Sequence, residues 1–279
     1  KFQTDVLLVD LIVLAFFGCL RNRKTVLCLA QGHDTSYHKP WIVKSFIRFC
    51  YRHVLSRLNV PVIAVAAGLA ETLQQYRPVN LTAIPNGVDL KYFYHEPSSA
   101  LRKGRSREFV ILIFARRDIA KGLDIAEKAL RELARIRKAQ DWEVWSIGAE
   151  TIRWEGIPVT NLGFIREEEK LRSILSAADI HLVASRSEGL SILLLQALAC
   201  ECAIVSTTAS TILIHEVNGL VSPVGDSKAL AQNLNRALSD EGLRNQLKRN
   251  ARPLAEKFSF QNSCEQFEKA LQAFVEDCR

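Results

Sequence analysis

Three stretches of this sequence hold residues whose types and spacing suit the handling of charge. The first is Ser185-Arg186-Ser187-Glu188-Gly189-Leu190-Ser191, followed by an apolar run from Ile192 to Cys200 that only Gln196 interrupts. Ser191 is placed to cap a helix, its hydroxyl accepting from the free N–H groups of the first turn. A helix so apolar should be buried nearly all round. The β-branched segment Ala203-Ile204-Val205-Ser206-Thr207 comes next and reads as a strand. Such a unit directs the helix N-terminus, with its unpaired N–H groups and partial positive charge, toward the carboxyl edge of a sheet, where a phosphate would be held. The second stretch has Arg116 and Lys121 between the apolar run Phe109 to Phe114 and Gly122. The third is the polar loop Ala30-Gln31-Gly32-His33-Asp34, which falls where open α/β sheets gather ligands.

Short strands and amphipathic helices must position these groups. Val6 to Val9 and Lys24 to Leu29 read as short buried strands, with a brief buried helix over Leu11 to Leu20 between them. Trp41 to Arg57 reads as an amphipathic helix, with Ile42, Phe46, Phe49 and Leu55 facing a core and Lys44, Arg48, Arg52 and Arg57 on a solvated back. The same mixture of bases and aromatics would also lie on an anionic membrane surface. Val60 to Ala66 is a further strand and Gly68 to Tyr76 a helix. Asn86-Gly87 is expected to supply the positive φ of a tight turn. Phe109 to Phe114 reads as a strand buried on both faces, as parallel sheets require. Strands over Trp142 to Ile147 and Ile180 to Ala184, and helices over Glu167 to Ala177 and Ser227 to Leu238, follow. The polar segment Glu96 to Arg107 is the expected linker. The expected division is 1–103, 104–256 and a final crossing helix over 257–279.

At 279 residues the chain can form one large domain or two ordinary ones. Its 48% hydrophobic and 24% charged content is that of a globular protein. The net charge of +7 suits an anionic partner or a generally basic surface. Seven cysteines, an odd number with no C-x-x-C pair, read as reduced core thiols of a cytoplasmic protein. The chain opens on Lys1 and contains no Met, from which an N-terminally incomplete protein is expected. The apolar run from Val6 to Leu20 falls short of the ~20 residues a bilayer-spanning helix needs. Basic residues follow it rather than precede it, against a signal peptide.

Glu188-Gly189-Leu190-Ser191, Leu195 to Cys200 and Asn218-Gly219-Leu220-Val221 resemble the donor-site signature of the family-four retaining glycosyltransferases. Pro85-Asn86-Gly87-Val88-Asp89 resembles the turn that ends that family's N-terminal domain, and Phe258-Ser259-Phe260 its final crossing segment. The resemblance implies an α/β protein of GT-B type, with two Rossmann-like domains, the N-terminal one incomplete here. It implies that Arg116 and Lys121 hold the donor diphosphate, where two cations stabilise a leaving group whose charge grows in the transition state. Glu188 would contact the donor sugar, and Gly189, Leu190 and Ser191 would offer N–H groups to the phosphates. Position 196 would hold the nucleotide ribose. Gly163 and Ile165 resemble the base-binding loop, and His33 would face the acceptor, although a loop His with a structural hydrogen bond fits as well.

Three positions depart from the family pattern. Gln196 replaces a second Glu. Glu201 stands where Gly usually closes the helix in a left-handed conformation. The stretch Thr208 to His215 lacks a Gly-Gly loop. The reading is therefore a sugar transferase using a nucleotide-sugar donor and a glycan, lipid-linked or other acceptor, with no cofactor, no metal and no nucleic acid. Its location would be cytoplasmic, with a peripheral contact at the inner membrane face as an alternative. The rivals are an inactive relative that binds nucleotide or a protein partner, an epimerase or phosphorylase of the same fold, and a nucleic-acid binder. No Asp-x-Asp, P-loop or G-x-G-x-x-G pattern occurs, which disfavours the metal-clamped, P-loop and dinucleotide classes.

Overall fold

The computed structural model describes residues 6–22, 25–38, 40–96, 101, 104–138 and 140–278. It divides into two compact units. The first comprises 1–87, 187–190 and 260–279, and the second 88–186 and 191–259. The division falls after Gly87 rather than at the expected 103/104 boundary. Much of the expected linker, 97–100 and 102–103, lies outside the described residues, as does Lys24 of the second expected strand.

The second unit is built on a six-stranded sheet in which all described pairings are parallel. Its strands are β5 (Phe109–Phe114), β6 (Trp142–Ile147), β7 (Val159–Gly163), β8 (Ile180–Val183), β9 (Ala203–Thr207) and β10 (Leu220–Ser222). Spatial order is β10-β9-β8-β5-β6-β7. β5, β6, β8 and β9 are almost wholly buried, β5 as its unbroken apolar run requires, the others enclosing Glu143, Ser146, His181, Ser206 and Thr207 as well. Helices α4 (Leu123–Ile136), α5 (Glu168–Ala177), α6 (Ile192–Ala199) and α7 (Ser227–Ser239) cover the sheet. The sequence reading left 240–257 unassigned. These residues form α8 (Glu241–Glu256), capped by Asp240, whose carboxylate accepts from the Leu243 N–H. A large apolar core lies here, with Trp142, Leu130, Leu133 and Leu234 fully buried.

The first unit holds a four-stranded parallel sheet in the sequential order β1 (Leu7–Val9), β2 (Val26–Ala30), β3 (Val62–Ala64), β4 (Leu81–Ala83). Helices α1 (Ile12–Asn22), α2 (Trp41–Tyr51) and α3 (Ala67–Gln74) belong to it, as does the final helix α9 (Phe260–Cys278). Phe267, Leu271 and Phe274 of α9 pack against Leu27, Ile63 and Ile84. Asp34 caps α1 from 22 residues away, its carboxylate accepting from the Ile12 N–H at 2.8 Å.

Three expectations fail in this unit. β1 is an edge strand with Leu7 and Leu8 exposed rather than buried, and α1 exposes Leu14, Phe17 and Leu20. The helix expected over Trp41 to Arg57 changes to a π-helical turn at Arg52–Arg57. Its inward face is Ile47, Cys50, Tyr51, Val54 and Leu55, so Ile42, Phe46 and Phe49, assigned to the core by their apolarity, are exposed. Gly87 does not adopt positive φ. It is required for another reason: a Cβ there would stand 2.4 Å from the Phe260 Cα, so only hydrogen lets α9 approach.

Candidate nucleotide-phosphate site

The order of the second sheet fixes where its ligand edge lies. From β5 the chain proceeds outward to β6 and β7, then returns to the other side of β5 as β8. Neighbouring strands whose connections leave in opposite directions open a crevice at their carboxyl ends, and that crevice is the usual binding place of such sheets. Here it lies between β5 and β8. The β5 loop carries Arg116 and Lys121, and the β8 loop carries Ser185 and Arg186.

The β5 loop is tightly determined. The Ala115 N–H donates to the Ile147 carbonyl at 2.7 Å. Asp118 caps the 3₁₀ turn Ile119–Lys121, its carboxylate accepting from the Ala120 N–H at 3.0 Å. Gly122 then takes φ +65°, a left-handed conformation that glycine adopts without Cβ strain, and starts α4. Its α-carbon lies so close to β8 that a Cβ would be 2.0 Å from the Ala184 carbonyl oxygen. Arg116 is exposed, 3.9 Å from the Asp118 carboxylate, and Arg117 pairs with Glu150 at 2.7 Å.

Arg186 joins the two loops, a role the sequence reading did not give it. Its N–H donates to the Ala120 carbonyl at 2.7 Å. Its guanidinium donates to the Ile119 carbonyl at 3.0 Å and to both Asp124 oxygens at 2.8 and 2.6 Å. These hydrogen bonds hold the Asp124 carboxyl below its ordinary range and raise that of Arg186. The turn bearing Lys121 is thus clamped from beneath. The only sequence signal for this clamp was an unassigned Arg beside the motif.

The other residues assigned from the sequence fall as follows. Ser191 caps α6, its hydroxyl accepting from the Leu194 N–H at 3.4 Å, while Gln196 is half-buried on that helix. Gly163 ends β7 with φ +72° in open space, and Ile165 lies just beyond it, half-buried. Glu201 closes α6 at φ +57°. The Cys202 N–H reaches the Ala197 carbonyl and the Glu201 N–H the Leu198 carbonyl, both at 3.0 Å, a complete Schellman cap built without glycine.

Glu188, Gly189 and Leu190 group with the first unit. A Cβ on Gly189 would lie 2.4 Å from the Gln31 carbonyl oxygen, and the Asn86 amide donates to the Leu190 carbonyl at 2.8 Å. Asn86 serves there as a clamp on the signature loop rather than as a left-handed turn residue. His33 is engaged at both ring nitrogens, Nδ1 with the Thr35 hydroxyl at 2.7 Å and Nε2 with the Tyr76 hydroxyl at 3.1 Å. Its ring is tilted 4.7 Å from Tyr51, and burial with nearby Arg48 lowers its pKa. Among the described residues no group of three His, Cys, Asp or Glu could hold a metal ion. No helix among them is long and apolar enough to cross a membrane. Cys28, Cys200 and Cys202 are buried, which pushes each thiol up to about 12, whereas Cys264 is exposed and does not fit the expectation of a core thiol.

Residues 108–240, just under half of the chain, match the family model described as Glycosyl transferases group 1. No curated protein sequence matches the chain. Among solved structures the chain is similar to sucrose-phosphate synthase from Thermosynechococcus elongatus, at 20% identity and TM-score 0.80, over 99% of this chain and 75% of that one. It is similar to HepE from Anabaena in complex with UDP-glucose, at 22% identity and TM-score 0.75, over 94% and 76%. It is also similar to the C-terminal domain of a glycosyl transferase group 1 family protein from Francisella tularensis, at 25% identity and TM-score 0.53, over 61% and 97%. The chain is an α/β protein with parallel-sheet, Rossmann-like units as in GT-B glycosyltransferases, and its second unit carries all but 187–190 of the segment that matches the group 1 model.

Proposed function

We propose that this protein transfers a sugar from a nucleotide-sugar donor to a glycan, lipid-linked or other acceptor with retention of anomeric configuration. The observation that carries the reading is the clamped cationic turn at the β5/β8 crevice, inside the segment that matches the group 1 model. The relatives' names, a sucrose-phosphate synthase and a protein that binds UDP-glucose, support a nucleotide-sugar donor.

In this reading Arg116 and Lys121 face the donor diphosphate. Charge grows on its terminal oxygen as the glycosidic bond breaks, so cations held there in advance lower the barrier more than they tighten ground-state binding. The N–H groups of Gly189, Leu190 and Ser191 add dipolar stabilisation at the start of α6. Glu188 orients the sugar hydroxyls, Gln196 the ribose, and Gly163 with Ile165 the base. The departing phosphate takes the acceptor's proton. Residues 104–256 would serve as the donor half and 1–103 as the acceptor half, with His33 on the acceptor side and 257–279 as the returning segment. The reaction needs no metal in this scheme, and the location would be cytoplasmic.

Titration calorimetry with UDP, GDP and ADP, paired with a donor-hydrolysis assay, tests this reading. Arg116→Ala and Lys121→Ala should each reduce turnover on the order of 10²-fold with little change in unfolding temperature. Wild-type affinity and turnover in both variants would remove the assignment. A second reading, a relative that binds nucleotide without turnover, is favoured by Gln196, an amide where the family pattern has a carboxylate. A gain of activity in Gln196→Glu would show that this position limits transfer; binding without turnover in both forms would favour the second reading.

A further inference from the structure

The surface formed by α1 and α2 carries none of the residues assigned to the donor. Helix α2 turns Ile47, Cys50 and Tyr51 inward, and its outer face presents Trp41, Ile42, Phe46 and Phe49. Trp41 is 75% exposed. Phe16 of α1 meets Phe49 at 6.1 Å between ring centroids, so α1 and α2 adjoin, and α1 adds exposed Phe17 and Leu20, the latter 71% exposed. Burying side chains of this size is normally the main gain of folding, so their gathering on one face marks a contact surface.

Charge selects the partner. Between Asp34 and Glu71 the sequence holds no acidic residue and five Lys and Arg. Arg48 and Arg52 are exposed and Lys44 is half-buried. A helix of 3.6 residues per turn puts Ile42, Phe46 and Phe49 along one side of the outer face and Arg48 and Arg52 along the other. A bulky aromatic edge beside a basic edge, with no carboxylate to repel phosphate, is the pattern of a helix lying in the headgroup layer of an anionic bilayer.

We infer that the α1/α2 face is a membrane-docking surface, α2 lying flat on an anionic leaflet with Ile42, Phe46 and Phe49 in the acyl boundary, Arg48 and Arg52 on lipid phosphates, and Trp41, on the basic side, at the headgroup level. This deepens the acceptor side of the proposed function, since a docked enzyme meets a lipid-linked acceptor in the plane of the membrane. It does not require that transfer be observed.

Trp41 is the reporter. Trp142 and Trp145 are buried and Trp154 is half-buried, so the exposed indole dominates any lipid-dependent change in emission. Phosphatidylcholine vesicles with added phosphatidylglycerol should shift the emission to the blue. Flotation should show at least about tenfold stronger binding to them than to pure phosphatidylcholine. Raising the salt should weaken this binding, because exposed charges are screened. Trp41→Phe should abolish the spectral shift but retain most flotation. Arg48→Glu with Arg52→Glu should remove the anionic preference, and Phe46→Ser with Phe49→Ser should reduce binding to both vesicle types. All of these positions are exposed, so the variants keep the inward face of α2 intact. The inference is overturned if anionic vesicles neither shift Trp41 nor float the protein, or if both vesicle types bind equally. It is also overturned if Phe46→Ser with Phe49→Ser abolishes a self-association seen in sedimentation, which would make the face an interface between copies.

Discussion

The two units solve the same architectural problem with different amounts of material. The second has six parallel strands, four of them buried almost throughout, and a continuous core of Ile, Leu, Val, Ala and Trp on its flanking helices. The first has four strands, three of them only three residues long, with an exposed edge at β1. Both nevertheless use the same device just past a strand's carboxyl end: a glycine pressed against a backbone carbonyl. Gly122 meets Ala184 in the second unit and Gly189 meets Gln31 in the first. The difference is that Gly122 is also left-handed and is locked by the Arg186–Asp124 pair, whereas Gly189 has no positive φ. In the second unit the hydrogen bonds of Arg186 gather on the turn that carries Lys121, and the first unit keeps polar clamps such as Asn86 and Asp34.

Substituting the two glycines tests this comparison with the largest expected effect. Gly122→Ala combines a strained φ with a 2.0 Å approach to backbone and should destabilise the second unit by about 2–5 kcal/mol. Gly189→Ala meets Gln31 at 2.4 Å without the φ penalty and should cost roughly 1–3 kcal/mol. Denaturation followed by tryptophan fluorescence resolves the units, since a Trp41→Phe background leaves only the tryptophans of the second. Equal costs at the two sites would remove the distinction drawn here.

Acid sensitivity sharpens it next. His181 on β8 is fully buried, its Nδ1–H donating to the Leu112 carbonyl, and burial lowers its pKa to about 4. A folded-state value below the unfolded one means the unfolded chain binds the extra proton first. The second unit should therefore lose stability as pH falls from the ordinary histidine range, near 6.5, toward 4, and gain it back on raising the pH. His181→Asn retains a donor and does not titrate, so its melting temperature should vary less over that window. An unchanged slope would show that other groups control the acid limit.

The smallest effect concerns the cap of α6. Glu201 bears a left-handed φ of +57°, and Glu201→Gly should stabilise the second unit by about 1 kcal/mol in chemical denaturation. A neutral or negative change would mean that the Glu201 side chain gains elsewhere what the backbone loses.

Much of this was legible without coordinates. The apolar run Phe109 to Phe114 is a strand at the expected position, because a segment buried on both faces cannot hide its composition, and Trp142 to Ile147 is one although it buries Glu143 and Ser146. Ser191 caps the helix it precedes, and Glu201 is left-handed as its place after α6 demanded. These are local effects, decided within a turn of chain. The misjudgements share a different cause. Leu7, Leu8, Ile42, Phe46 and Phe49 are apolar, but which side of a short strand or helix meets a core depends on neighbours distant in sequence. Gly87 illustrates the same limit: sequence identified a glycine that mattered, and packing against Phe260 decided why.

The sequence by itself determined the longer buried strands and several of the helices, the cap at Ser191, and the residues bearing charge at the loops, because these follow from periodicity and from the chemistry of single side chains. Tertiary structure alone decided that β8 returns beside β5, so that Arg186 reaches Asp124 and the turn carrying Lys121 becomes rigid. Those partners are 62 residues apart, and only the parallel sheet, by stacking carboxyl edges side by side, brings them within hydrogen-bonding distance.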